Sequence, residues 1–166
     1  EVVGQVLPPM SEKASKKAHK FLEELGVQIW LNTMVKDYDG KKITTSGKPM
    51  LTQTLIWAAG VQCMPPRGIS ADEMVKGNRI KVNRFNQVEG YDGLFALGDL
   101  AYMETEKFPK GHPQVAQPAI QQGKHLAKNL SRSLKGKEMT PFEYTDLGYM
   151  ATVGRTRAVA DLAKYK

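Results

Sequence analysis

At 166 residues, 41% hydrophobic and 25% charged, the chain has room for one core or two small ones of an ordinary globular protein. Its 24 Lys and Arg against 17 Asp and Glu leave a net charge of +7 that needs a partner or solvated basic faces, while no apolar run nears the ~18 residues that cross a bilayer and no signal peptide is visible. The single cysteine, Cys63, excludes an internal disulfide framework and any Cys-x-x-Cys redox pair or zinc site within the stretch, and fits a reducing compartment.

Residues 1–7 read as the end of a strand and its exit; a start in mid-element, without an initiating Met, is expected of a piece excised from a longer protein. Pro8-Pro9 breaks the chain and Ser11 caps a helix running to Leu25, with Ala14, Ala18, Phe21, Leu22 and Leu25 opposite Lys13, Lys16, Lys17 and Lys20. Gly26 ends it, and 27–31 is predicted as a strand, giving half of a parallel βαβ unit. Segments 34–38 and 42–45 flank Asp39-Gly40, a strong hairpin signal, and 51–58 reads as a further strand. Gly60 to Pro66 leads out of this unit with small residues that permit close backbone approach.

Segment 79–85 is predicted as a strand. Residues 94–97, four apolar residues before Gly98-Asp99, read as a short strand buried on both faces in a parallel sheet, with ligands expected beyond its carboxyl end. Gly98 lets a ligand approach the backbone, and Asp99 puts a carboxylate where it can accept hydrogen bonds from ribityl or ribose hydroxyls. The loop 101–115 is long enough to be functional or disordered. His112 in it reads as a solvated histidine, with a proton relay as the functional alternative.

From Ala116 onward, Ala116, Ile120, Gly123, Ala127, Leu130 and Leu134 form the expected packed stripe of a helix. Gln117, Gln121, Lys124 and Lys128 fall on a neighbouring stripe. Two glutamines one turn apart near a helix start offer amide donors and acceptors to a polar ligand, and the start itself favours an electron-rich ring; a solvated polar face is the plainer reading. From Phe142 the chain reads as strand, with a hairpin around Gly154. The basic helix faces are solvated or drawn to anionic lipid headgroups at about 1 kcal/mol per basic residue. Nucleic acid ranks low, because no aromatic interleaves with the lysines to stack on bases.

In these blocks the chain resembles the type II NADH:quinone oxidoreductases, FAD-containing relatives of the glutathione-reductase-like flavoproteins. The Ala116-Gln117-x-Ala119-x-Gln121-x-Gly123 signature is the specific one; Gly98-Asp99, the segment from Ile56 to Val61 and the stretch from Gly148 to Arg155 agree in order. The resemblance implies an α/β fold, an incomplete piece of a protein with two dinucleotide-binding domains: 1–62 as the second half of the NADH-binding domain, 63–137 as the returning part of the FAD-binding domain, and 138–166 as the start of a C-terminal region. It implies FAD held by Gly98, Asp99, Ala116 and Gln117, NADH held by Glu1, Ala59 and Gly60, and a quinone positioned by Gln117 and Gln121, with no metal. It further implies a peripheral, non-proton-pumping enzyme of the respiratory chain on the cytoplasmic face of the cell membrane, attached through a C-terminal region, with a homodimer among its assemblies and no nucleic-acid partner. Lacking both Gly-rich phosphate-binding turns, this stretch alone is expected to be inactive and to bind neither dinucleotide tightly. A soluble FAD-dependent disulfide or ferredoxin reductase and a non-enzymatic basic binding module are the alternatives.

Overall fold

The computed structural model describes residues 2–162. In chain order the elements used below are helix α1 (Glu12–Glu24), strands β1 (Val35–Tyr38), β2 (Lys42–Thr45), β3 (Met50–Leu51), β4 (Met74–Val75), β5 (Arg79–Lys81) and β6 (Ala101–Tyr102), helix α2 (Ala116–Ser133), and strands β7 (Gly148–Val153) and β8 (Arg157–Leu162). They fall into two compact units, one of residues up to Ala58 together with those from Leu147 onward, the other Ala59–Asp146.

In the first unit Ser11 caps α1 as expected: its Oγ accepts the Ala14 N–H at 3.2 Å, a contact worth about 1 kcal/mol. The Ser11 N–H and hydroxyl in turn donate to the Asp161 carboxylate at 2.5 and 2.7 Å, tying the helix start to β8. Ala14 and Ala18 are buried with Met10, Val153 and Val159, and Phe21, Leu22 and Tyr149 pack around them. The lysines of α1 stand outside. The hairpin around Gly154 forms in continuous antiparallel register from Gly148↔Leu162 to Val153↔Arg157. The Asp39-Gly40 turn forms too, with Asp39 Oδ1 accepting the Lys41 and Lys42 N–H groups at 2.8 and 2.7 Å; those bonds hold its carboxyl below the usual range.

Two expected strands of this unit are absent. Residues 27–31 hold no strand among the described residues, and next to them the Asn32 N–H donates to Val3 O at 3.1 Å. Of 51–58 only Leu51 belongs to a strand, while Ile56 and Trp57 are 84% and 64% exposed. An apolar run becomes a strand only beside a partner edge, and the described residues supply none.

The second unit is organised on Ile80, Val82, Val88, Ala96, Ala101, Met103, Phe142 and Tyr144. β5 pairs antiparallel with β4 and parallel with β6, in register Ile80↔Ala101. The strand expected over 79–85 stops at Lys81, because Asn83 Oδ1 accepts the Phe85 and Gln87 N–H groups and turns the chain. Residues 94–97 are extended but do not form the expected parallel strand. Phe95 bridges Gln87 antiparallel, and Leu97 is 39% exposed. Phe142 and Tyr144, read as the start of a strand, are core side chains, and β7 begins only at Gly148.

Candidate functional site

The Gly98-Asp99 turn is a single turn of 3-10 helix, Gly98–Leu100, leading into β6. Gly98 has φ +68°, and a Cβ there would lie 3.1 Å from the Ala119 Cβ of α2. Helix α2 is the group that comes close to the Cβ position of this glycine. Its N–H donates to Gln122 Oε1 at 2.7 Å.

That contact explains a further correction. The stripe Ala116, Ile120, Ala127, Leu130 and Leu134 is exposed, Leu134 at 90%, and the buried side chains of α2 are Pro118, Gln122, Leu126 and Asn129. The two buried amides complete backbone groups that would otherwise lie unpaired. Gln122 takes the Gly98 N–H; Asn129 accepts the Thr140 N–H at 2.9 Å and donates to the Thr140 carbonyl at 2.8 Å. Gln121 makes a similar double contact, donating to the Thr145 carbonyl at 2.9 Å and accepting its N–H at 3.0 Å. Gln117 makes no hydrogen bond to any described residue, and Val115, the residue that begins α2, offers no side-chain cap.

Asp99 is exposed, and its carboxylate has no hydrogen-bond partner among the described residues. Its carbonyl, by contrast, accepts from Arg79 Nε at 3.1 Å, Gln114 Nε2 at 3.3 Å and the Cys63 thiol at 3.3 Å. Arg79 is buried, and desolvation lowers its pKa, against the attraction of the Asp99 carboxylate. Neither it nor Gln122 stood out in the sequence. The Arg of a strand and the third Gln of a helix read as surface residues, and only their backbone partners, distant in the chain, give them a role.

His112 is 2% exposed, not solvated, with Phe108, Tyr144 and Phe142 rings at 5.2, 5.4 and 5.6 Å and neither ring nitrogen hydrogen-bonded. Burial, with Arg79 and Arg84 nearby, lowers its pKa below the ordinary 6.5. Among the described residues neither ring nitrogen has a hydrogen-bonded partner to which it could pass a proton.

Of the sequence-derived site residues, Gly98, Asp99, Ala116 and Gln117 gather about the turn and the start of α2, and Gln121 lies one helical turn further along. Ala59 and Gly60 are exposed on the segment leading to Cys63, and nothing lies within 4 Å of where a Gly60 Cβ would stand. Glu1 lies outside the described residues. An unpartnered carboxylate beside an uncapped helix start suits a ligand that carries hydroxyls and negative charge, so these residues fit the polyhydroxyl and phosphate portions of a flavin dinucleotide.

Residues 1–123 match the pyridine nucleotide-disulphide oxidoreductase family. The chain belongs to that family. Among pyridine nucleotide-disulphide oxidoreductases it is 36% identical over 169 residues to the type II NADH:quinone oxidoreductase Ndh of Mycobacterium tuberculosis, an overlap of 95% of this chain and 35% of the relative. It is 32% identical over 158 residues to the type II NADH:quinone oxidoreductase of Staphylococcus saprophyticus, covering 93% of this chain and 39% of that one. The resemblance read from the glutamine block is the one these relatives carry, and the chain spans little more than a third of their length. In fold it is similar to NDH2 of Plasmodium falciparum, solved in complex with NADH, with TM-score 0.84 at 16% identity over 99% of this chain and 49% of that one. It is also similar to a ferredoxin reductase of Rhodopseudomonas palustris, with TM-score 0.71 at 16% identity over 92% of this chain and 38% of the other. Among the described residues no helix is long and apolar enough to cross a membrane.

Proposed function

We propose that the longer protein containing this chain is a peripheral membrane flavoenzyme that takes a hydride from NADH onto FAD and passes two electrons and two protons to a quinone. The observation that carries this reading is the exposed, unpartnered Asp99 carboxylate at the turn against which α2 packs, with the unpartnered Gln117 amide in the first turn of that helix. The relatives named type II NADH:quinone oxidoreductase support it.

The flavin, when bound, supplies the hydride and electron chemistry. Asp99 accepts hydrogen bonds from ribityl hydroxyls, and Gly98, Ala116 and Gln117 frame the same cofactor from the turn and the helix start. Ala59 and Gly60 leave backbone open toward the nicotinamide, and Glu1 is assigned to the adenosine ribose of NADH. Gln117 donates to a quinone carbonyl and holds the acceptor in place. Gln121, committed to Thr145, retains one N–H and one lone pair for the same task. Amides do not titrate usefully, so neither glutamine delivers the protons. The division at 62/63 and 137/138, the attachment to the cytoplasmic face of the cell membrane through a C-terminal region and the homodimer belong to this same proposal for the whole protein.

The test is to purify the full-length protein, record its flavin spectrum and assay NADH oxidation with a soluble quinone. Flavin-bound protein that reduces quinone supports the reading. Flavin-free protein, or flavoprotein that reduces only disulfides or ferredoxin, overturns it.

A further inference from the structure

Arg79 stands out among the buried groups. It is 8% exposed and forms no ion pair among the described residues. A buried cation outside any ion pair is costly unless its donors are satisfied, and here backbone oxygens from two segments, 99–101 and the loop at His112, take three of its five N–H donors. Nε donates to the Asp99 carbonyl at 3.1 Å, and Nη2 to the Ala101 carbonyl at 2.6 Å and the His112 carbonyl at 3.0 Å. The guanidinium lies 5.3 Å from the centre of the Tyr102 ring. Gly111 makes the third bond accessible: at φ +76°, its missing Cβ would lie 2.7 Å from Tyr102 ring carbons, so only glycine lets the loop settle onto Tyr102 and bring the His112 carbonyl to Arg79. If filling the core were all that mattered here, an apolar side chain would do it at lower cost.

The consequence falls on Asp99. Its carbonyl is held by Arg79, with Gln114 and Cys63 beside it, and the N–H of the preceding residue is held by Gln122, while the carboxylate has no hydrogen-bond partner among the described residues. We propose that Arg79 is a positioning residue: its planar fork joins the Gly98-Asp99 turn, β6 and the loop before α2 into one frame that presents the Asp99 carboxylate to the hydroxyl groups of the ligand. This inference rests on the flavin reading for the ligand's chemistry, although the frame itself does not.

The experiment compares full-length protein carrying Arg79→Lys, Asp99→Asn or both with the unmutated protein. Lysine keeps the charge and loses the fork. FAD affinity is read by flavin fluorescence, and amide hydrogen exchange is read on ligand-free protein at Gly98, Ala101, Gly111 and Val115. Arg79→Lys is expected to weaken FAD binding about tenfold when Asp99 is present and less than about threefold beside Asp99→Asn, the mark of a residue that acts through another. Exchange at the four amides is expected to rise about tenfold, with little change across Ile80 and Val82. Arg79→Ala should show the same local loss, and free guanidinium at non-denaturing concentration should restore protection. Unchanged local exchange, equal loss of affinity in both backgrounds, or a uniform rise in exchange across 59–146 each overturns the proposal, the last assigning Arg79 to general stability. If the unmutated protein takes up no FAD, the flavin reading fails by itself, and the exchange measurements decide whether Arg79 holds the frame.

Discussion

Gln122 and Gly98 meet in one hydrogen bond, the Gly98 N–H donating to Gln122 Oε1 at 2.7 Å, with the glutamine 1% exposed. The bond joins helix α2 to the turn that presents Asp99, so the helix next to the proposed quinone site and the turn proposed for the flavin are one mechanical piece. Gln122→Ala leaves a donor of that turn unpaired and opens space beside it. The expected cost is about 1 to 3 kcal/mol of stability, read as a lower urea midpoint at unchanged slope. A shift under about 0.5 kcal/mol would mean that water replaces the amide without loss.

Gly98 is constrained twice, by its positive φ and by the Ala119 methyl at 3.1 Å from its absent Cβ. Gly98→Ala is expected to destabilise by about 1 to 2 kcal/mol from the left-handed backbone, plus a steric contribution from the contact. Only the steric part should be relieved by Ala119→Gly in the double variant. Full recovery in that double variant would show that the backbone conformation carries no cost.

What the sequence made legible follows from how local each signal was. Ser11 as a helix cap, Asp39-Gly40 as a hairpin turn and Gly154 as another are decided by residues within four positions of one another, and the structure has all three. The strands over 27–31 and 51–58 depended on a neighbouring edge that no local pattern reports. The buried stripe of α2 was misread for a related reason: hydrophobicity assigned Ile120 and Leu130 to the interior, whereas Gln122 and Asn129 went inside because Gly98 and Thr140 needed partners. Asp99 and Gln117 are singled out by local pattern as proposed ligand contacts, while Arg79 and Gln122 become visible only once distant carbonyls and N–H groups are brought together.

His112 gives a pH dependence with a definite sign. Its folded pKa lies below the ordinary 6.5, chiefly because burial disfavours the cation, with Arg79 and Arg84 adding repulsion and Glu143 opposing. The unfolded chain therefore binds the proton first as pH falls. Stability is full above 6.5 and declines from there down through the folded pKa. His112→Leu, close in volume and free of the two unpaired nitrogens, is expected to flatten this slope and to stabilise by about 1 kcal/mol or more at pH 5. Urea midpoints at pH 8, 6 and 5 check it; an equal slope in the variant would assign the acid sensitivity to other groups.

The two glutamines of the helix should separate by experiment. Gln121 uses its amide on both backbone groups of Thr145, so Gln121→Ala is expected to cost about 1 to 3 kcal/mol of stability at roughly 0.5 to 1.5 kcal/mol per bond. Gln117 has no hydrogen-bond partner among the described residues, and Gln117→Ala should leave stability within about 0.5 kcal/mol. If the proposed function holds, Gln117→Ala in the full-length protein is expected to weaken quinone turnover by about 1 to 3 kcal/mol while NADH-driven flavin reduction, followed by stopped flow, changes much less. The contrast is useful because a residue that only supports the fold lowers both half-reactions together. If Gln117→Ala slows flavin reduction and quinone turnover equally, the amide serves the flavin or the helix start and the quinone assignment fails; if it alters neither, Gln117 is a solvated side chain on an exposed helix turn.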